Sequence, residues 1–587
     1  MRSCADLGYS RVALNHTADA RIVEALTTVQ RQHGGYIPQG AFRTLAAELG
    51  VPIYRLYGVA TFFPHFRVEP PPALDVRVCS DLSCRLRGAP ALLGALEGAA
   101  RARGPAEVAV AAASCLGRCD GAPAFTLNDV PYFGLGEPAR RDVVAAVQNG
   151  TSLPAPPAPP SLRELRADPY GGGERRYGAL RRLLETGDVA GVLDALKGAD
   201  LRGFGGAGFR TAVKWEAVRN APGDEKYVIC NADESEPATI KDRAILDSAP
   251  HLVVEGMAIA GIATGARRGV VYIRHEYEHE RESLAQAIVE AEREGLLGDR
   301  LLGSDRCFHL DVFVSPGGYI CGEESALLEA MEGRRAQPRL KPPFPVTHGL
   351  FGKPTVINNV ETLCMVPVIL QRGADWWRAQ GVGGSAGIKF VGVSGHVNRP
   401  GVFEIPMGTT IAEVIQRAGG VLDGRGLKAV APSGASSGFL PAHLANVPLD
   451  FDALAKAGSM LGSGAICVVA EGTCMVDVAL SVARFFARES CGKCWPCRVG
   501  SEKIVHMLEA VTWGAGDAET LGPLDELAQT LVLTSICGLG QVVPNAIDSV
   551  RRYFKEEVDA HLHQRRCPAG TCVMQPPARV NGGVVPS

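Results

Sequence analysis

Eight cysteines at short, regular spacings constrain this chain more than any other feature. Cys79 and Cys84 are separated by four residues, and Cys115 and Cys119 by three. Cys491, Cys494 and Cys497 stand at two-residue gaps, with Cys537 well downstream in Ser535-Ile-Cys537-Gly-Leu-Gly540. Four thiolates on two loops of one small domain suit a [2Fe–2S] cluster. Three close thiolates with a remote fourth resemble a ferredoxin-style [4Fe–4S] run. Zinc competes for both sets: the wider gaps of the first count against it, and spacing alone leaves it open for the second. A disulfide-dense secreted scaffold is excluded by the 587-residue length, which suggests about four domains. Lys plus Arg number 60 against 63 Asp plus Glu, so the basic footprint of a nucleic-acid partner is missing. No secretory pattern opens the chain. The longest apolar stretch, Val253 to Ala266, carries Glu255 and several glycines and is too short for a membrane span. A cytoplasmic, reducing compartment is expected, with thiols available for iron.

Periodicity organises the rest as a multidomain α/β chain. Ile22, Leu26 and Val29 share a helical face, the pattern breaks at Gly34-Gly35, and Phe42, Leu45 and Leu49 resume it before Pro52. Leu74, Val76 and Val78 alternate with polar residues in a strand that delivers Cys79, and Val108 and Val110 mark a second. Leu153-Pro-Ala-Pro-Pro-Ala-Pro-Pro160 reads as a stiff linker. Beyond it, Tyr227 to Cys230, Val270 to Ile273 and Leu310 to Val314 are strand-length apolar runs separated by helices. Ile388 to Val393 and Val402 to Ile405 begin a β-rich module in which Thr409 or Thr410 can cap a helix. The final hundred residues before the tail are helical: Met475 to Ala487, Glu502 to Val511, Leu524 to Leu533 and Val542 to Phe554.

Three further segments carry chemistry. Gly203-Phe-Gly205-Gly206-Ala-Gly208-Phe209, followed by Lys214, satisfies G-x-G-x-x-G, yet Val189 to Lys197 before it has helical period. The dinucleotide fingerprint requires a strand there, so this is no ordinary Rossmann turn. Its amides can still approach a phosphate, with Lys214 supplying charge. Asn231-Ala-Asp233-Glu234-Ser235-Glu236 places three carboxylates at a strand end and, standing alone, reads as a solvated loop. Gly317-Gly-Tyr319-Ile-Cys-Gly322-Glu323-Glu324 follows another strand in the same way, and such loops are where open α/β sheets bind ligands.

Together with Arg339-Leu-Lys341-Pro-Pro-Phe344 and Lys353-Pro-Thr-Val-Ile-Asn358-Asn359, these motifs resemble the flavin-bearing, NADH-oxidising subunit of respiratory complex I. The first 150 residues resemble its thioredoxin-like [2Fe–2S] partner, here fused in front. The resemblance implies a helical bundle at 1–72, a thioredoxin-like [2Fe–2S] domain at 73–150 and a Pro/Gly-rich linker at 151–180. It further implies a Rossmann-like FMN- and NADH-binding domain at 181–385, a β-grasp module at 386–470, a helical [4Fe–4S] domain at 471–565 and a tail at 566–587. It places FMN against Gly203, Lys214, Asn231, Asp233, Glu234, Tyr319, Glu323, Asn358 and Asn359, with Gly205, Gly206, Gly208, Ser235 and Gly322 also in the cofactor-binding set. NADH would stack on the flavin, with Phe209 and Phe344 flanking its adenine and Glu236, Glu324 and Lys341 in polar contact. Phe204, Arg210, Ala217 and Ala238 depart from the family pattern.

The activity implied is that of a diaphorase exchanging hydride between NAD(H) and FMN, with single electrons passing through both clusters. Glu236, near the nicotinamide, is the leading catalytic candidate. The fused layout with all four cysteines of the first cluster points to the β subunit of an NAD-dependent formate dehydrogenase, partnered by an iron–sulfur-rich α-like subunit. The NADH-dehydrogenase subunit of complex I (peripheral at the inner face of the membrane) and the diaphorase subunit of an NAD-reducing hydrogenase are the alternatives. Cys230, Cys321, Cys364, Cys467 and Cys474 read as buried thiols. Cys567 and Cys572 read as a remnant or partner-contact tail, since two thiols cannot complete a cluster.

Overall fold

The computed structural model describes residues 19–156, 165–170, 175–517 and 519–575. The second half of the proline-rich run and the last twelve residues lie outside them. Helices Ile22–Gln32, Gln39–Leu49 and Ile53–Ala60 lead the described chain. Their buried faces (Leu26, Phe42, Leu56) join a core that continues into Ile320, Leu328 and Leu480, so this bundle packs on later parts of the chain.

Four strands follow: β1 (Leu74–Cys79), β2 (Val108–Ala113), β3 (Phe125–Leu127) and β4 (Val130–Tyr132), in the order β2-β1-β3-β4. β1 runs parallel to β2 and antiparallel to β3. Val76, Val78, Leu96 and Phe125 form a core of their own, each side chain worth about 1.5–3 kcal/mol in burial. What joins this unit to the rest is mainly polar. Arg118 pairs with Glu280 at 2.9 Å and Arg243 with Asp120 at 2.7 Å. Arg85–Asp477 and Arg488–Asp81 ion pairs reach the helix Met475–Glu489.

The central sheet is all parallel: β5 (Tyr227–Ala232), β6 (Arg268–Arg274), β7 (His309–Ser315) and β8 (Thr355–Asn359), ordered β7-β6-β5-β8. β5 and β6 are nearly continuous apolar runs because helices cover both faces. The apolar helix Pro250–Thr264 is buried from Leu252 to Thr264, which identifies it as a core helix. No single helix among the described residues is long and apolar enough to cross a membrane. β8 escapes sequence reasoning because it is five residues long and ends in two asparagines.

A mixed sheet comes next: β9 (Ile388–Gly395), β10 (Gly401–Pro406), β11 (Leu427–Ala431), β12 (Leu440–Pro441) and β13 (Ala465–Ala470), ordered β10-β9-β13-β11-β12. β9 and β13 are parallel. Thr410 caps helix Ile411–Arg417 in a capping box with Glu413. The closing helices are Met475–Glu489, Trp495–Thr512, Leu524–Thr534, Gly538–Val542, Asn545–Tyr553 and Lys555–Gln564. The helix expected from Val542 to Phe554 runs Asn545–Tyr553; Val542 instead ends the short helix Gly538–Val542, and Pro544, whose ring cannot continue a helical ladder, stands between them.

Candidate functional site

Loops at the carboxyl ends of β5, β7 and β8 converge with the glycine-rich loop. That loop joins helix Val189–Gly198 to helix Thr211–Asn220 with no preceding strand, in keeping with the helical period ahead of it. It is drawn tight: the Gly203 amide donates to the Phe209 carbonyl at 2.8 Å and the Phe204 amide to Thr362 Oγ1 at 2.9 Å. A Cβ on Gly205 would sit 3.0 Å from Cβ of Asn359, and one on Gly208 would strike the Phe451 ring at 2.7 Å. Phe204 turns inward, its ring 4.8 Å from the Lys389 ammonium. Lys214 donates to the Ile357 carbonyl at 3.0 Å and lies 3.8 Å from Glu324. Burial holds its pKa below the usual lysine range despite Glu324. Trp215 Nε1 anchors Asn358 Oδ1 at 2.8 Å.

The carboxylates after β5 are enclosed rather than free in solvent, Asp233 and Glu234 buried and Glu236 half-buried. Asp233, Glu234 and Glu236 are each pushed up to about 7, chiefly by burial. Asn231 donates to the Gly322 carbonyl at 2.8 Å, tying the β5 loop to the β7 loop. Asp233 accepts from Ser235 and, at 3.0 Å, from Ser315. Glu234 accepts the Asp242 and Arg243 amides at 2.8 and 3.0 Å and Tyr277 Oη at 3.0 Å, so it caps the helix Lys241–Ser248 from outside. Glu236 accepts from both the amide and the hydroxyl of Ser436 at 2.9 Å, and Tyr319 Oη lies 3.2 Å from the same hydroxyl. Asn359 caps helix Val360–Arg372 and touches Lys241 and Asp242.

Across the cleft, Glu323 caps helix Glu324–Met331 through the Ser325 and Ala326 amides. Lys341 bridges Glu323 at 2.9 Å and Glu324 at 2.8 Å. Phe209 is 55% exposed and Phe344 52%, a cost in water that a flat aromatic ligand would offset.

Two sulfur clusters flank this cleft. Cys115 Sγ lies 3.5 Å from Cys119 Sγ, and the neighbouring Cys115 and Cys84, with burial, push the Cys79 thiol well above its usual range. The Ala124 amide donates to Cys84 Sγ at 3.4 Å and the Ala238 amide to Cys119 Sγ at 3.3 Å. Buried, convergent thiols with amide donors are the surroundings an iron–sulfur cluster requires. Cys84 lies in the one-turn helix Leu82–Leu86 rather than in an open turn. In the second set Cys494 immediately precedes the helix Trp495–Thr512, Cys497 lies in its first turn and Cys537 precedes Gly538–Val542. A Cβ on Gly540 would come within 2.9 Å of Cys497 Cβ, so only glycine admits the loop of Cys537 this close.

Three residues that sequence reasoning passed over tie these parts together. Glu489 accepts the Tyr319 amide at 2.7 Å and contacts Ser114, next to Cys115. Arg274, at the end of β6, donates to the carbonyls of Glu234 and Cys115, both at 2.6 Å. Ser436 holds Glu236 from the β-rich module. Glu489 had a visible signal, adjoining the Cys491 motif; the other two had none.

This architecture defines a class of NADH-linked flavoproteins with iron–sulfur clusters. Residues 196–368 match the Nuo51 FMN-binding domain, 477–561 the NADH-ubiquinone oxidoreductase-F iron-sulfur binding region, 10–148 the thioredoxin-like [2Fe-2S] ferredoxin and 390–438 the SLBB domain. An NADH-quinone oxidoreductase subunit of Rhizobium meliloti (strain 1021) is 45% identical over 399 residues, 68% of this chain and 94% of that protein. NADP-reducing hydrogenase subunit HndC of Solidesulfovibrio fructosivorans is 43% identical, over 68% of this chain and 81% of its own length. A chain of an NAD+-reducing [NiFe]-hydrogenase, in its air-oxidized crystal structure, superposes with a TM-score of 0.82 at 31% identity, covering 94% of this chain and 95% of that one. The chain belongs to the Nuo51 family of FMN-binding NADH-quinone oxidoreductase subunits, with a thioredoxin-like [2Fe–2S] unit fused in front. It is an NADH-binding flavin and iron–sulfur oxidoreductase using FMN, a [2Fe–2S] and a [4Fe–4S] cluster.

Proposed function

We propose that the cleft between the glycine-rich loop and the ends of β5, β7 and β8 holds FMN, with NAD(H) stacked above it between Phe209 and Phe344. The observation that carries this is the cleft's donor set. The Gly205–Gly208 amides and Lys214 suit a phosphate, and a Cβ on Gly205 would crowd Asn359. Bound there, FMN supplies the chemistry no side chain has, exchanging a hydride's electron pair on one side and single electrons on the other. Asn231 and Asp233 orient the ring system. Glu324 and Lys341 form a charged rim where the nucleotide's polar groups enter. Glu236, held by Ser436 and Tyr319, lies beside the nicotinamide and holds a proton in part near neutral pH. Cys79, Cys84, Cys115 and Cys119 ligate the [2Fe–2S] cluster, and Cys491, Cys494, Cys497 and Cys537 the [4Fe–4S] cluster. The chain divides into the seven units set out from its sequence.

We further propose that the partner is the α-like subunit of an NAD-dependent formate dehydrogenase. Four intact first-cluster cysteines in a fused chain support that reading. The hydrogenase reading has its own support, the likeness to an NAD+-reducing [NiFe]-hydrogenase chain over almost the full length of both chains. Purifying the native complex and assaying NAD+ reduction with formate and with hydrogen separates the two. Reduction by hydrogen alone overturns the formate assignment.

A further inference from the structure

Away from the cleft, the chain's end gathers four metal-ligating side chains that the sequence gives no reason to associate. Cys474 caps the helix Met475–Glu489, His561 lies in the last turn of helix Lys555–Gln564, and Cys567 and Cys572 sit in the turn that follows. One ligand atom from each lies within 4.8 Å of all the others. The expectation that Cys567 and Cys572 stand alone is therefore corrected: the tail folds back, its Met574 amide meeting the Thr512 carbonyl at 3.4 Å, and two ligands distant in sequence complete the set.

We propose that Cys474, His561, Cys567 and Cys572 bind one structural zinc ion. The edges fit. Cys474 Sγ lies 3.7 Å from Cys572 Sγ and 3.4 Å from His561 Nε2. Tetrahedral zinc with Zn–S of about 2.3 Å and Zn–N of about 2.0 Å requires edges of about 3.8 and 3.5 Å. A [2Fe–2S] or [4Fe–4S] cluster spreads its four thiolates over two or four irons, so it cannot accept four ligands this mutually close. The tautomer is set: His561 Nδ1–H donates to the Glu557 carbonyl at 2.7 Å, leaving the Nε2 lone pair facing the sulfurs, as a zinc-bound imidazole requires. His561 and Cys474 are fully buried and Cys567 nearly so; three thiols and an imidazole packed together without a cation would leave polar groups in the interior poorly compensated. The ion ties the start of the helix leading to Cys491 to the end of the last helix, closing the bundle that carries the [4Fe–4S] set.

The test is metal analysis of the purified native complex with X-ray absorption at the zinc edge. About one zinc per chain with three sulfur neighbours and one nitrogen is expected. Cys572→Ser and His561→Gln should each lower zinc at least several-fold while iron and acid-labile sulfide stay at the wild-type level. Absence of zinc in the wild-type complex, a zinc shell of other composition, or iron falling with Cys572→Ser would each overturn the proposal. The wild-type spectrum decides even if both variants fail to fold.

Discussion

Replacing Arg274 by methionine should loosen the first cluster from the flavin sheet. The guanidinium is 2% exposed. It donates to Glu276 through Nε at 2.9 Å and Nη2 at 2.6 Å, to two backbone carbonyls, and stacks over Tyr277 at 5.1 Å. Burial alone would raise Glu276, yet Arg274 and His275 hold it well below the usual carboxylate range. Removing one partner of a buried ion pair costs about 3–5 kcal/mol, and for a unit of this size about 2–4 °C of melting temperature per kcal/mol. A drop of about 6–20 °C follows, read as bleaching of iron–sulfur absorbance on heating. The loss should shrink as pH falls from 8 toward 5, because the stranded Glu276 carboxyl can then take up a proton in the variant, whereas wild-type Glu276 is already ionised throughout that window. A cost below about 1 kcal/mol, or one independent of pH, would refute the assignment of Arg274 as the clasp.

Glu236→Gln should raise the nucleotide KM or slow flavin reduction and remove an inflection near pH 7 from the NADH–ferricyanide profile; unchanged kinetics would remove the proposed role. Glu255, buried with Tyr170 and the Leu180 amide as partners, is pushed from 4.5 to about 7 by burial. Its contribution is full below pH 4.5 and is lost as pH rises through 7, about 3 kcal/mol in all. Glu255→Gln should therefore gain melting temperature relative to wild type between pH 5 and 8, and parallel curves would contradict this. Gly256→Ala would put a Cβ 2.1 Å from the Leu363 carbonyl oxygen, where two buried helices cross. A loss of about 2 kcal/mol or more in thermal melts is expected, and a neutral result would mean the helices can part freely.

What could be read from the sequence was local. The close cysteine gaps (Cys79 to Cys84, Cys115 to Cys119, Cys491 to Cys497), the alternation delivering Cys79 and the helical period ahead of Gly203 each lie within a dozen residues, and the fold has the strand Leu74–Cys79 and the helix Val189–Gly198 where that logic puts them. What stayed hidden depends on contacts between distant segments. Ser436 meets Glu236 across 200 residues of chain, and nothing near either predicts it. The acidic run after β5 looks solvated until the loops around it are in place. His561 and Cys474 become candidate ligands only when helices separated by the whole [4Fe–4S] segment pack side by side. Phe204 shows the same limit: a departure from the family pattern in sequence, it lies in space beneath the ammonium of Lys389.

The boundary between the first sheet and the parallel sheet is held by ion pairs and by side-chain-to-backbone hydrogen bonds more than by shared apolar core. As separate polypeptides, two such surfaces would have to find each other and survive dilution. Covalent continuity converts that encounter into an internal one at an effective concentration on the order of millimolar for a short connection. The fused chain can thus keep a charged seam between its two halves without the halves drifting apart.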